Sequence, residues 1–283
     1  MGVDAVQGAP GLFPPVPYGD WKETKATLHR FAQVVGKLRL ASTIRRNHWW
    51  NIPFHLTGRG ITTRPMGLDP VFCIDFDFVA HRLVVLSATG QTISFPLAGQ
   101  SVASFYARTM DALSSLGIDA AVERPEPFDL GDHIPFAEDT VHAAYDPAAV
   151  NRYWRVLGQV AQILEEFSAG YSGKTSPVHH FWHTFDIAVT RFSDRRVHHG
   201  PDVDAVTREA YSREVVSFGF WFGDETFPEP AFYSYTAPEP RSLADQPLEP
   251  ATAIWVARGS GHLAVLRYDD ARAGLRPKQA VLD

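Results

Sequence analysis

The sequence lacks most of the features that assign a protein quickly. Its 283 residues hold a single cysteine, Cys73, which excludes an intramolecular disulfide and any cysteine-based zinc centre. A reducing compartment, the cytoplasm, is the expected address. No apolar run reaches the roughly 18 residues that a membrane-spanning helix needs. The opening stretch MGVDAVQGAPGLFPPVPYGDW has no basic segment ahead of an apolar one, so no signal peptide is expected. Formal net charge is -6 with the arginines scattered, whereas nucleic acid is gripped by a basic stripe, so no nucleic-acid partner is expected. Also missing are a G-x-S-x-G elbow, a glycine-rich phosphate loop, a haem CxxCH and an HExxH pair. GSGH, at 259–262, reads as a hairpin turn with no helix after it.

What is present is an ordered succession of helix and strand patterns. Asp20 with Glu23 resembles a capping box, and Leu28, Phe31, Val35 and Leu38 recur at helical spacing, predicting a helix over 21–41. NHWWNIPFHLTGRGITT and VFCIDFDFVAHRLVVLSATGQTISFPL then read as antiparallel strands, with Phe72, Ile74, Phe76 and Phe78 on one face and Cys73, Asp75 and Asp77 on the other. A helix runs from Ser101 to Gly117. Residues 119–147 are acidic, carry Pro125, Pro127 and Pro135 and read as a linker; Asp146-Pro147 opens a long helix with Tyr153, Trp154, Leu157, Val160, Leu164 and Phe167 on its buried side. SREVVSFGFWFGD, PAFYSYTAP and TAIWVARGSGHLAVLRY supply further strands.

The order repeats. VGKLRLASTIRRNHWWNIPFHLTGRG and SGKTSPVHHFWHTFDIAVTRFS each carry a helix end, Gly-Lys, a histidine, a tryptophan and a strand. The expected fold is α+β: two repeated helix plus antiparallel-sheet units, 21–118 and 148–283, related by a pseudo-twofold axis around an aromatic pocket. A Pro-rich lead-in, 1–20, and the linker complete one integrated domain. Lys37 and Lys174 are read as cations at helix ends.

Candidate chemistry centres on residues 173–196, GKTSPVHHFWHTFDIAVTRFSDRR, read as one buried strand. Buried ionisable groups need partners or a task. Alternation sets His180, Trp182, Thr184 and Asp186 on a pocket wall, opposite a core face with His179 and His183. His180 and Asp186 would then lie roughly 20 Å apart, too far for a dyad. The first unit offers His48, Trp50, Asn51 and His55 as partners. Arg191 is a candidate oxyanion stabiliser, and Glu229, Tyr233 and Tyr235 are candidate pocket lining. Asp75 and Asp77 read as a solvated face, less favourably as a carboxylate pair.

NHWWNIPFHLTGRGITT, FDFVAHRLVV, PFAEDTVHAAYDP, GKTSPVHHFWHTFDIAVTRFS, EAYSREV and PEPAFYSYTAPEP together resemble a bacterial family, common in actinobacteria, defined only as a domain of unknown function. The resemblance runs from about Trp21 to Tyr268. It implies no established activity. His179, Trp182, Phe185 and Asp186 agree with the family pattern, while Phe and Gly usually stand where this chain has His180 and His183. The resemblance adds Asp139, His142 and Tyr145 to the candidates.

The preferred expectation is an enzyme of specialised metabolism that binds a small molecule in an aromatic-lined pocket. It would run an isomerase, cyclase or lyase step by acid-base chemistry without a cofactor. Histidine moves the proton, Asn51 and Arg191 stabilise oxyanion charge, and Trp50 and Trp182 hold the substrate. The alternatives are a non-catalytic binding or sensor protein and a His-ligated metalloenzyme.

Overall fold

Leu28, Phe31, Val35 and Leu38 line the buried side of helix α1 (Lys22–Ser42) in a computed structural model that describes residues 11–259 and 261–283. Half of the expected lead-in, 1–10, and Ser260 of the expected hairpin turn lie outside the described residues. The helix start differs from the capping box. Asp20 ends a 3-10 turn, Tyr18–Asp20, and Trp21 takes the N-cap position with no side-chain cap bond. Its buried indole packs edge-on to Phe222 and holds the first turn by apolar contact instead.

Five short strands follow: β1 (His55–Leu56), β2 (Gly60–Thr62), β3 (Phe72–Asp77), β4 (Arg82–Ser87) and β5 (Thr92–Pro96), side by side in that order in one antiparallel sheet. Alternation in β3 buries Phe72, Ile74 and Phe76 and leaves Cys73, Asp75 and Asp77 on a half-open face. Helix α2 (Val102–Ser115) starts where Ser101 Oγ accepts the Ser104 amide. It ends before Gly117, whose φ of 70° suits a residue without Cβ. Phe31 and Phe105 stack at 3.9 Å and Phe105 lies over Phe76, so α1 and α2 pack together over the buried face of this sheet.

Residues 116–146 form no helix or strand. Their backbone is nevertheless fixed, because the carbonyls of His142 and Asp139 accept the Val102 and Ala103 amides that the first turn of α2 leaves unpaired. Helix α3 (Pro147–Ala169) has the expected Asp146 cap and proline at its first position.

The second sheet comprises β6 (Lys174–Thr175), β7 (His179–His180), β8 (Ile187–Arg196), β9 (Arg213–Trp221), β10 (Ala231–Ala237), β11 (Ile254–Arg258) and β12 (Gly261–Arg267), all antiparallel. Helix α4 (Ala205–Ala210) lies between β8 and β9, and α5 (Tyr268–Ala273) and α6 (Pro277–Leu282) follow β12. The protein is therefore α+β with two antiparallel sheets. They differ in order: the first is a simple meander, while the second runs β11-β12-β10-β9-β8-β6 with β7 on β8.

The segment 179–190 is not one strand. The chain reverses at Trp182–Thr184, the Phe181 amide donates to the Asp186 carbonyl, and β7 pairs back on β8 with His179 opposite Ala188 and His180 opposite Ile187. Tertiary contacts make the reversal. The Trp182 indole fills the notch over Gly36 and donates to the Ile52 carbonyl at 3.1 Å, while His29 Nε2 donates to the carbonyls of Trp182 and His183. The 20 Å separation of His180 and Asp186 and the face assignment beyond residue 180 both fall with the strand. Phe54 and His180 exchange backbone hydrogen bonds of 2.8 and 3.1 Å, joining the edges of the two sheets over one continuous core.

Candidate functional site

Backbone pairing in β7 turns its two histidines to opposite faces. His180 points into the core, where its Nε2 meets the Tyr153 hydroxyl of α3. His179 points the other way. Its ring lies edge-on to His55 of β1 at 5.2 Å and to Trp50 at 6.3 Å between centroids. His179 is 1% exposed and its Nδ1 has no hydrogen-bond partner among the described residues. Burial, then the positive field of His55, Arg39 and Arg64, pushes its pKa down to about 3. Burial, then Arg64, Arg39 and Arg46, pushes His55 down to about 4. At neutral pH both are uncharged imidazoles, weak bases until a negative charge is brought beside them.

Arg39 stands in the last turn of α1, 5% exposed, with Nε and Nη1 lacking a hydrogen-bond partner among the described residues. Burial, followed by Arg64 and Arg46, lowers its pKa to about 10, so it keeps its charge at neutral pH. Arg46 and Arg64 are exposed. None of the three arginines joins an ion pair among the described residues. His55 also lines a cleft of about 440 Å³ against α3, with Trp154, Gly158, Gln162 and Val178 among its walls. The arrangement offers a neutral base at a cleft wall, a second neutral imidazole behind it, an aromatic ring and a fixed positive charge.

Of the residues read from sequence, His55, His179 and Trp50 converge here. Asn51 supports them: its Oδ1 accepts the Arg46 amide and its Nδ2 donates to Thr43 Oγ1, which sets the loop carrying Arg46 and Trp50. His48 has Nδ1 at 3.2 Å from the Glu209 and Ala210 carbonyls and Nε2 at 2.7 Å from Lys174 Nζ. It is a neutral ring donating to a carbonyl and accepting from the lysine. Lys174, expected at a helix end, instead sits in β6 over Trp50 and Phe192.

The others lie elsewhere. Asp186 accepts from Thr184 Oγ1 and from the Tyr233 hydroxyl. Tyr233 is three strand steps from His179 across β8 and β9, roughly 14 Å at about 4.8 Å per step, and Tyr235 bonds Tyr211 at 2.9 Å. These form a second polar group, apart from His179. Arg191 stacks on Phe167 and donates to its carbonyl at the end of α3, where a cation suits the helix dipole. Glu229 is exposed and pairs with Arg267 at 2.8 Å. Asp77 caps the turn after β3 and pairs with Arg59, so it does not partner Asp75 as an acid-base couple. Asp139, fully buried, takes His142 Nδ1 at 2.8 Å, and Tyr145 meets His81 at 3.1 Å. Among the described residues no three His, Cys, Asp or Glu side chains are placed to hold a metal ion.

A family model, the family of unknown function (DUF5996), matches residues 13–283. The chain belongs to that family. This extends over nearly the whole length the resemblance seen in the motifs. No curated protein and no solved structure matches the chain. No helix of the described residues is long and apolar enough to cross a membrane.

Sequence reading missed Arg39, Arg46 and Arg64. One signal existed: Arg39 lies four residues after Val35 and next to Leu38, on the border of the apolar stripe of α1, where an unpaired charge is costly.

Proposed function

We propose that the protein is a small-molecule enzyme of specialised bacterial metabolism, acting in the cytoplasm, that moves a proton with a neutral imidazole at the His55, His179 and Trp50 site. The observation that carries this reading is His55, half-buried at the wall of a cleft and backed by a second buried imidazole with a free nitrogen. A neutral imidazole beside a fixed positive charge takes a proton from carbon next to a carbonyl, and the charge stabilises the oxyanion that forms. Returning the proton at another atom gives an isomer or a ring; expelling a leaving group gives a lyase. No redox cofactor takes part in such a step. In this reading the two units arose by duplication, and the similar segments 35–60 and 172–193 meet through Phe54, His180 and Trp182.

The test is incubation of the protein with small-molecule extracts, followed by mass spectrometry of consumed and formed compounds. A product of equal mass, or lighter by one water, should appear with wild type and vanish with His55→Gln. The second reading, a binding protein without turnover, is favoured by the closed packing around His179. Retention of a compound by wild type with no product would establish it.

A further inference from the structure

We propose that the ligand of this site carries an oxyanion, a carboxylate or phosphate, that pairs with the buried guanidinium of Arg39 and is drawn in by Arg46 and Arg64. The inference rests on the reading of the His55 and His179 site as the functional one and adds its substrate class. Its ground is an unmatched cation. Buried polar groups in folded proteins are almost always hydrogen-bonded, and buried charges are paired. Arg39 is 5% exposed, yet among the described residues two of its nitrogens meet no acceptor and no carboxylate pairs with it.

The bland account of Arg39 is a cation closing the C-terminal turn of α1, where the helix dipole favours it. That explains its sign but leaves Nε and Nη1 without acceptors. It also fails to explain why the fold ties Arg46 and Arg64 to the same helix end, through Asn51 and Thr43 in one case and the Gly67 amide on the Ser42 carbonyl in the other, when like charges repel. In a chain of net charge -6, three arginines without a carboxylate partner among the described residues are a local reversal of the overall field. A bound oxyanion resolves each point. It satisfies the free guanidinium donors in the planar geometry that arginine offers, offsets the mutual repulsion, and restores the basicity of the adjacent imidazoles. The imidazole closest to the cleft, His55, then has the charge of the ligand beside it as it takes the proton.

The experiment uses the full chain with inorganic phosphate and with benzoate as separate probes, at ionic strength held constant with sodium chloride. Calorimetry reads affinity, and the His Cε1 proton signals report the titration of His55 and His179. At least one probe should bind saturably and raise both histidine midpoints; which one does so separates a phosphate from a carboxylate ligand. Arg39→Gln should weaken binding on the order of tenfold to a hundredfold, the loss of a charge-assisted hydrogen-bonding partner, and Arg39→Lys should recover part of it. If Arg39→Gln does not fold, the exposed pair Arg46→Gln and Arg64→Ser tests the same field, with a severalfold, salt-dependent loss expected. Failure of both anions to compete with chloride, or affinity unchanged in every variant, overturns the proposal. Anion binding through Arg39 without turnover keeps it and removes the catalytic reading. Turnover of an uncharged compound, indifferent to Arg39, does the reverse.

Discussion

Tyr153 and His180 are hydrogen-bonded in the middle of the core, hydroxyl to Nε2, both shut off from water. Burial pushes the imidazole down to about 3 and holds the phenol well above its ordinary value, so both stay neutral. Tyrosine donates, and the ring proton sits on Nδ1, which has no partner among the described residues. Around them stand Phe54, Phe78, Phe185 and Phe222. His180 is thereby a packing residue that fastens the β7–β8 hairpin to α3.

Tyr153→Phe should therefore cost about 1 to 3 kcal/mol, because Nε2 loses its donor inside an apolar cage. His180→Phe should cost a similar amount by stranding the hydroxyl. The double substitution should cost clearly less than the sum, since both polar groups then go together. Urea unfolding of the four proteins checks this, and strict additivity would mean that the bond is not formed.

Gly36 and Gly158 should respond to alanine with opposite signs. Both lie inside helices, where alanine is favoured by about 1 kcal/mol. A methyl at Gly36 would overlap the Trp182 ring, whereas one at Gly158 meets nothing within 4 Å. Overpacking costs about 1 to 3 kcal/mol, so Gly36→Ala should lower the melting temperature and Gly158→Ala should raise it. Gly158 also lines the cleft beside His55, so its alanine variant probes whether the cleft has room to spare.

Local rules carried the three long helices, the buried face of β3 and the caps at Ser101 and Asp146, because periodicity and capping are properties of neighbours in sequence. They did not carry residues 179–190. That turn has no glycine or proline, and polar and aromatic residues alternate through it as they would along a strand; Gly36, His29 and the Ile52 carbonyl bend it, and all three are remote in sequence. The same limit hid the site. His55 and His179 were legible as chemistry-bearing residues, but choosing His179 over His180 required the pairing partners of β7. Arg39 was hidden because a cation near a helix end already has a local explanation.

Arg30 should prove the main anchor of residues 116–146. It is 4% exposed, pairs with Asp132, and brings Nε to 3.5 Å from the fully buried Asp139. Asp139 in turn accepts the Val141 and His142 amides and the His142 ring. Arg30→Met should destabilise by about 1 to 3 kcal/mol, since Asp139 keeps its amide and His142 donors but loses the adjacent charge and Asp132 loses its partner. Hydrogen exchange should quicken first in residues 128–143. Protection unchanged there would mean that the backbone bonds to α2 suffice without the arginine.

Acid should weaken the fold earlier than carboxylate titration alone would require. An unfolded imidazole takes its proton near pH 6.5, whereas folded His55 does so at about 4 and His179 and His180 at about 3. Between those values the unfolded state binds more protons. The stability these rings contribute is therefore complete above about pH 6.5 and is lost as pH falls towards 3 to 4. Each ring adds a slope approaching 1.4 kcal/mol per pH unit once the unfolded form is protonated, so the two most deeply buried rings account for roughly 2 kcal/mol between pH 6 and 5. Urea unfolding at pH 7.5, 6 and 5 measures it. His179→Asn should remove one ring's share of the slope, and a saturating oxyanion should flatten the curve by raising the folded midpoints of His55 and His179. A slope that persists unchanged in His179→Asn would place the acid sensitivity in other groups and remove the buried, uncharged state assigned to this imidazole.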